Sequence, residues 1–408
     1  MGKPSDSLEG REKRIRDVIE LREPDRVPFA PKIGNYYARG YGISMYDAMK
    51  DIRNVAPGVM GFLDDYAPDL AWAPVMYPTD PPELMGSTYL KCPGPESGLK
   101  LDASFQIHDK CYLMDDEYPE FLHDPSHFFM TKVYPRKFAG LAGLSKISFN
   151  NPVEYALYIG LASFADPEVQ SALQTLMRGG EAAAKWFGGL NQIVGAIAAR
   201  GFPLGAAGAQ TCPFDMFGDN IRGFMNTVND IYDNPDELLA ALEYMTPLCV
   251  EGAVASAKAA NLEFMFIPLD AFMSPDNYRK FYWPGLKALI MALIDIGVTP
   301  YVFCEGAYNH RLDIIADVPK GKVIYMFEDV DLAEAKRIVG QTSCICGNVP
   351  TPLLAYGSRE RVIEETKKVM DIGAPGGGFI MDCSIVLDEA KKENMDAWAE
   401  TTWEIGKY

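Results

Sequence analysis

Histidine is scarce in this chain of 408 residues, which contains four. They are His108, His123, His127 and His310. Imidazole is the commonest metal ligand in proteins, and a site built mainly on it needs several histidines brought together. Any metal site in this chain must therefore depend on sulfur and oxygen ligands.

Positive charge is also in short supply, with 38 Lys and Arg against 56 Asp and Glu and a net charge of −18. Nucleic acids and anionic membrane surfaces are held by cationic patches, so neither is an expected partner. No apolar run approaches the roughly 20 residues that span a bilayer. The N-terminal stretch lacks the apolar segment of a signal peptide. Eight cysteines without framework spacing fit a reducing compartment. We expect a cytoplasmic protein.

A glycine fingerprint opening a helix after the first strand is absent, which disfavours a doubly wound sheet. Strand-like and helix-like segments instead alternate from residue 27 to the end. This alternation predicts an α/β fold, a TIM-like (β/α)8 barrel that forms a single domain over residues 1–408. The strand-like runs are RVPFAPKIG, DLAWAPV, GFPLGAAGAQ, FMFIPLD, VTPYVFCEG, KVIYMFED and GGGFIMDCS.

Residues 76–135 are rich in proline, aromatics and short polar pieces. Long irregular segments in compact domains are typically functional, so we expect an insertion that forms a cap over one mouth of the barrel. Further along the chain, the pattern predicts separate helices over residues 166–178 and 179–200.

Sulfur and carboxylate side chains end the last three strand-like runs. Cys304, Glu328 and Cys383 each stand at the C-terminal end of a different run. In a βα barrel these ends meet at one mouth, where catalytic residues lie. Two thiolates and one carboxylate leave one tetrahedral position of a zinc ion open. We therefore predict a zinc site formed by these three residues, with Cys346 as a reserve ligand.

Glu305 follows Cys304 directly. Adjacent residues of a strand point to opposite faces, so both cannot face inward within regular structure. We assign Cys304 to the metal. Glu305 remains a candidate catalytic residue or a further ligand beyond the strand end.

Several separated blocks resemble one family. They include RIRDVIELREPDRVPF, PFDMFGDNIRGF, MSPDNYRKFYWPGLKALI and GNVP followed by RERVIEETKKVMDIGAPGGGFIM. Together they resemble the uroporphyrinogen decarboxylase superfamily, which implies a TIM-like barrel and favours a homodimer. That superfamily contains decarboxylases and zinc methyltransferases.

Two departures separate the branches. A decarboxylase is expected to carry Arg-Gln-Ala-Gly-Arg after the first strand, where arginines hold substrate carboxylates. Here the stretch 31–37 reads PKIGNYY. The coenzyme M methyltransferases show His-x-Cys, and Val302 stands where that histidine is expected. The block FCEGAYNHRLDIIADVPKGKVIYMFEDVDLAEAK resembles corrinoid-dependent aryl O-demethylases instead.

That resemblance implies transfer of a methyl group from a methoxylated aromatic compound to Co(I) of a separate corrinoid protein. Zinc would activate the ether oxygen. His310 is a candidate general acid, and Asp270 or Asp382 would orient ligands or bind a ring hydroxyl. The candidates for the substrate pocket are Asn35, Tyr36, Tyr37, Trp72 and Tyr77.

Three alternatives stay open. The first is a related zinc methyltransferase with another methyl donor, or with a thiol acceptor such as coenzyme M. The second is a uroporphyrinogen decarboxylase, and the third is a non-catalytic corrinoid or tetrapyrrole binding module.

Overall fold

The structure, a computed structural model, describes residues 6–148, 154–205, 208–270 and 272–408, and gives only the backbone of 154–156. Its main sheet has five parallel strands in sequential order. The five strands are β1 (Phe264–Leu269), β2 (Thr299–Ala307), β3 (Ile324–Asp329), β4 (Cys344–Cys346) and β5 (Phe379–Ile380). Sequential parallel order with helices between the strands is the arrangement of one side of a βα barrel.

Three further wall segments, numbered in chain order, complete the wall through isolated bridges: the first around Phe29, the second around Ala71 and the third around Leu204 and Ala209. Parallel bridges join Phe29 to Met381, Ala71 to Leu204, and Ala209 to Phe266. The Asp69 backbone N–H donates to the Phe29 carbonyl, which links the first two segments. The eight segments close on one another, so the predicted barrel is confirmed. The sequence analysis had not assigned β4 as a strand, because three residues are too few to show a periodicity.

The longer helices are α1 (Leu8–Ile19), α2 (Pro167–Ala199), α3 (Pro235–Ala260), α4 (Trp283–Asp295), α5 (Arg359–Gly373) and α6 (Lys392–Ile405). Shorter α-helices span Tyr36–Arg39, Met45–Lys50, Ala56–Tyr66, Asp80–Met85, Tyr118–His123, Pro125–Phe128, Tyr134–Lys137, Glu154–Leu161, Pro213–Phe217, Phe224–Asp233, Pro275–Asn277, Leu312–Ile315, Leu332–Ile338 and Thr351–Tyr356.

The helix α2 corrects one prediction, because it is continuous where two helices were expected. Its Gly179 and Gly180 suggested a break, since glycine weakens a helix interior. A Cβ at Gly179 would lie 3.1 Å from the side chain of Met85. The glycine is therefore explained by the close approach of Met85 to the helix, and the chain does not turn there.

Alternation along the strands divides the hydrophobic core in two. Tyr301 and Phe303 of β2 belong to a cluster inside the barrel, together with Trp72. Val302 and Cys304 of the same strand belong to the cluster between the barrel and its surrounding helices. Each strand thus buries both faces, as parallel strands in α/β proteins do.

The N-terminal end of the barrel is closed by α1 and a charged network. Asp69 is fully buried and accepts hydrogen bonds from Arg14 Nη1 at 2.5 Å and Arg26 Nη1 at 2.7 Å. It also accepts from the Phe29 backbone N–H at 2.8 Å. Asp25 accepts from Arg14 as well, at 2.7 and 2.8 Å. Every charge of this network has a partner.

The predicted cap segment, residues 76–135, contains short helices and an antiparallel pair, Leu90–Lys91 with Gln106–Ile107. It contacts loops that follow two wall segments. Asn35 Nδ2 lies 3.3 Å from Ser104 Oγ, and the Leu113 N–H donates to the Ile221 carbonyl at 3.0 Å. These loops lie at the C-terminal end of the barrel. The role of the segment as a lid stays a prediction.

Within the described ranges, one helix, α3, has the length and apolar composition of a membrane span, and 33% of its most apolar window is buried. Its buried side chains pack in the outer core cluster. The outer helix of a barrel passes the same test, so this is weak evidence for a membrane.

Candidate active site

Four carboxylates gather at the C-terminal mouth of the barrel. Asp270 follows β1, Glu305 lies on β2, Glu328 lies on β3, and Asp219 follows the third wall segment. Burial raises the pKa of Glu305 to about 8, and the charges of Asp270, Glu328 and Asp219 add to the rise. Burial and the charge of Asp270 likewise raise the pKa of Asp219 to about 6. We call these four residues the mouth carboxylates.

Glu305 lies in an irregular stretch of β2, where the register with β3 shifts between Cys304 and Ala307. Such bulges re-aim side chains at the rims of barrels. Glu305 is partly exposed, and its carboxyl group has no hydrogen bond with any described residue. Its neighbour Glu328 accepts from the Gly306 N–H at 2.6 Å. Burial and the neighbouring carboxylates therefore favour the protonated form of Glu305, the state that a general acid requires.

Little positive charge offsets the mouth carboxylates. Lys137 is the cation that counteracts the raised pKa of Asp219. Burial lowers the pKa of Lys137 to about 8, and its Nζ donates to Asn220 Oδ1 at 3.1 Å. The mouth therefore retains excess negative charge, which favours protons and cations and repels polyanions.

A second polar group lies deeper, inside the barrel. Lys32 is 2% exposed, and its Nζ lies 3.7 Å from the centre of the Trp72 ring. Asp382 accepts from the Lys32 N–H at 2.8 Å and from Tyr301 Oη at 3.2 Å. Burial lowers the pKa of Lys32 to about 7 and raises that of Asp382 to about 6.

The predicted zinc ligands do not converge, so that assignment is wrong. Tyr301, Phe303 and the mouth carboxylate Glu305 occupy the inner face of β2, so Cys304 faces the outer helices. Burial raises the pKa of the Cys304 thiol well above its usual value, which disfavours the thiolate.

Cys383 also lies in the outer cluster, and its Sγ donates to the Ile385 carbonyl at 3.0 Å. The reserve ligand Cys346 faces inward but lies 3.1 Å from Tyr301 Oη. Among the residues that the structure describes, no three His, Cys, Asp or Glu side chains form a group that could hold a metal ion. The Cys304, Glu328 and Cys383 set therefore does not fit zinc.

The predicted pocket aromatics divide between the two faces of the wall. Trp72 lies inside the barrel, 4.8 Å from the Tyr301 ring centre. Tyr36 and Tyr37 are wrong as pocket residues, because both lie in the outer cluster. Tyr37 Oη donates to the Trp72 carbonyl at 3.0 Å, and so supports the wall from outside.

The remaining predicted residues lie around the mouth. Asn35 is held by Asp388, whose Oδ2 accepts from its Nδ2 at 3.0 Å. Tyr77 is 40% exposed, and its pKa is raised by burial and by the charge of Asp219, so it borders the mouth carboxylates. His310 lies in an exposed turn and has no hydrogen bond with a described residue, which leaves it apart from them.

Residues that the sequence analysis missed include Lys32, Asp219 and Tyr301. Ala30 and Lys32 are two residues apart in the first wall segment, so their side chains share one face. An inward lysine could therefore have been predicted from the period of two in a strand. Asp215 and Asp219 are four residues apart at the start of a helical stretch after a wall segment, which places them on one face. Asp215 accepts from Tyr282 Oη at 2.5 Å below the mouth.

Comparisons with known proteins identify the family. The model of the uroporphyrinogen decarboxylase (URO-D) family matches residues 197–404. The uroporphyrinogen decarboxylase of Syntrophotalea carbinolica is 25% identical over 179 residues, which is 43% of this chain and 51% of that protein. The corresponding protein of Thioalkalivibrio sulfidiphilus is 24% identical over 174 residues, 40% of this chain and 48% of its own length. The chain thus spans about half the length of the curated relatives it matches.

A solved structure resembles nearly the whole chain. The methyltransferase from Methanosarcina mazei has a TM-score of 0.62 at 15% identity, and the match covers 98% of this chain and 99% of that one. At this identity the likeness shows the fold, which agrees with the eight-segment wall described above. Since the family model also matches just over half of the residues, the chain belongs to the uroporphyrinogen decarboxylase family.

Proposed function

We propose that the chain is a methyltransferase that takes the methyl group of a methoxylated aromatic compound and delivers it to the Co(I) of a corrinoid protein. One observation carries this proposal. At the C-terminal mouth of the barrel, Glu305 presents a partly exposed carboxyl group with a pKa of about 8 and no hydrogen-bond partner among the described residues. Such a group donates a proton to a leaving group at neutral pH.

The chemistry needs that proton because phenolate is a poor leaving group. Glu305 donates its proton to the ether oxygen as the bond between that oxygen and the methyl carbon breaks. The electron pair of that bond stays on oxygen, and the product is a neutral phenol. The corrinoid partner supplies the nucleophile that accepts the methyl group. Each 1.36 kcal/mol removed from the barrier is about tenfold in rate, so one well-placed proton has a large effect.

The other mouth carboxylates keep Glu305 supplied with protons. After transfer, the Glu305 carboxylate faces Asp270, Glu328 and Asp219, whose charges disfavour a second negative group. Glu305 is partly exposed, so solvent returns the proton. No step is assigned to zinc, because Cys304 and Cys383 lie on the outer face of the wall.

A uroporphyrinogen decarboxylase is the second candidate, because both curated relatives bear that name. Its substrate carries several carboxylates, which the negative mouth repels. The arginine motif expected after the first strand is also missing. These features favour the methyltransferase.

The test is a turnover assay with both substrate classes. The purified protein is mixed with methoxybenzenes or methoxybenzoates and either cob(I)alamin or a reduced corrinoid protein, and phenols are measured by chromatography. A parallel reaction contains uroporphyrinogen alone. Phenol formation that depends on the reduced corrinoid supports the proposal. Decarboxylation in the parallel reaction, without phenol from any methoxyarene, would overturn it.

A further inference from the structure

Lys32 is a buried amine whose Nζ has no hydrogen-bond acceptor among the residues that the structure describes. Its Nζ lies over two aromatic rings, 3.7 Å from the centre of Trp72 and 4.2 Å from that of Phe266. Nζ forms no ion pair or hydrogen bond with a described residue. A buried, unpaired ammonium group is costly, and cation–π contacts offset only part of that cost. A negative group bound at Nζ would offset the rest of that cost and favour the charged amine.

The interior above Lys32 is reached by solvent. Nζ is not among the unpaired polar atoms that are sealed from solvent. Four partly buried side chains pack against the interior cluster: Ile19, Phe266, Ile385 and Val386. The inner wall near Lys32 is thus apolar and aromatic, and Phe266 keeps part of its surface accessible.

The titratable groups that face Lys32 are the carboxyl group of Asp382 and the thiol of Cys383. Asp382 is occupied by other donors: the backbone N–H groups of Lys32 and Cys383 at 2.8 and 2.7 Å, and Tyr301 Oη at 3.2 Å. Cys383 is buried, and its Sγ donates to the Ile385 carbonyl. Neither group pairs directly with the ammonium group, which leaves it available to a ligand.

We propose that Lys32 binds the carboxylate of a small aromatic acid inside the barrel, with the partly accessible ring of Phe266 against the ligand. This inference deepens the proposed function, on which it rests for the role of the ligand as methyl donor: the substrate is a methoxylated aromatic acid. A site built around an unpaired charge rejects the neutral analogue, because the buried charge then stays unpaired.

The distance from Lys32 to Glu305 at the mouth agrees with the length of a methoxylated aromatic acid. Phe266 pairs in register with Tyr301 on β2, and Glu305 lies four residues further along that strand. Four residues of strand span about 13 Å at roughly 3.3 Å each. Once a hydrogen bond of about 2.8 Å is allowed at each end, one ring with a carboxylate below and an ether oxygen above fits between Lys32 and Glu305.

Binding is measured by calorimetry, without any methyl transfer. The probes are benzoate, 4-methoxybenzoate and 4-methoxybenzamide, and the proteins are the wild type and Lys32→Met. We expect the wild type to bind 4-methoxybenzoate at least tenfold more tightly than the amide. Lys32→Met should lose that preference and leave the affinity for the amide within about twofold. Lys32→Arg, which keeps the charge, should retain part of the preference.

The outcomes separate this inference from the proposed function. Equal binding of benzoates by the wild type and by Lys32→Met overturns it, as does the absence of benzoate binding to the wild type. Lys32-dependent binding of benzoate without methyl transfer from any methoxybenzoate supports the carboxylate site and contradicts the methyltransferase. Because Lys32→Met removes a buried charge, the variant should fold, and circular dichroism and a thermal melt check this.

Discussion

The two ends of the barrel treat negative charge in opposite ways. At the N-terminal end, Asp69 is fully buried between Arg14 and Arg26, and each of its oxygens has a donor. At the C-terminal end, Glu305 faces three other carboxylates, and no cation of the described residues counters their effect on its pKa. The pKa values of carboxyl groups at the two ends shift in opposite directions. Hydrogen bonds from Arg14 hold the pKa of Asp25 below its usual range, whereas burial and like charge raise the pKa of Glu305.

This comparison indicates that the N-terminal end contributes to stability and the C-terminal end to proton transfer. Fully paired charges lock a structure in place, and in βα barrels the N-terminal end mainly serves stability. Unpaired carboxylates with raised pKa values weaken the fold at neutral pH, but they are ready to transfer protons. Substitutions at the two ends should therefore have opposite effects on stability.

The largest effect is expected at the paired end. Asp69→Asn leaves Arg14 and Arg26 buried without their shared anion, which should lower the free energy of unfolding by about 3–5 kcal/mol. Chemical denaturation measures this change. The matched control is Asp25→Asn, whose side chain is 67% exposed. Its effect should stay below about 1 kcal/mol. Equal losses at the two positions would contradict the contrast between the ends.

At the unpaired end, the expected change is in activity. Glu305→Gln removes the proton donor, so methyl transfer from a methoxyarene should fall by about 100-fold or more. The control is Glu334→Gln, the same substitution on an exposed helix. Wild-type transfer should also decline as the pH rises through about 8, where Glu305 loses its proton. A Glu305→Gln protein with normal turnover would remove Glu305 from the mechanism.

The pH dependence of stability should differ in sign between the ends. Because the pKa of Glu305 is raised in the folded state, folding takes up a proton between about pH 4.5 and 8, and stability falls as the pH rises through that window. Glu305→Gln should flatten this decline and raise the melting temperature at pH 8 by about 1–3 °C. For Asp25 the lowered pKa gives the reverse sign, with stability lost as the pH falls below about 4. Thermal melts from pH 3 to 9 compare Glu305→Gln and Asp25→Asn with the wild type. A steeper loss of stability with rising pH in Glu305→Gln than in the wild type would contradict the raised pKa of Glu305.

The smallest effects are expected at the cysteines on the outer face. Cys304→Ser and Cys383→Ser should change methyl transfer by less than about threefold, because neither thiol faces the mouth. Each serine should cost about 1 kcal/mol of stability, since it places a hydroxyl group in an apolar layer. Turnover and metal content measured on the same preparations check this. A bound zinc ion that is lost with either substitution would restore the predicted ligand set.

Much of the fold could be predicted from the sequence, because strand and helix periods alternate in the order that a βα barrel requires. The seven predicted runs lie in the wall wherever the structure describes them, residues 206 and 207 of one run being outside the described ranges. The strand β4 was missed because it has only three residues. The site was harder to predict. The sequence identified part of the mouth, namely Glu305, Asp270, Glu328 and Tyr77. It also predicted Cys304 and Cys383 as metal ligands, and these lie on the outer face of the wall.

The error at Cys304 has a physical cause. The alternation rule excluded an inward position for both Cys304 and Glu305, and the choice between them needed the inner face of β2. Because parallel strands bury both faces, Tyr301 and Phe303 on one face are as apolar as Val302 on the other. The orientation is fixed by pairing with β1 and β3, which a single sequence does not show.

The wall of the barrel is not uniformly bonded. Five strands form a continuous ladder, whereas the three wall segments from the N-terminal half are joined through isolated bridges. Amide protons of β2 and β3 should therefore exchange with deuterium more slowly than those around Ala71 and Leu204. Since residues 76–135 are inserted between those two loosely bonded segments, local opening of this side would move the insertion without unravelling the ladder that holds Glu305.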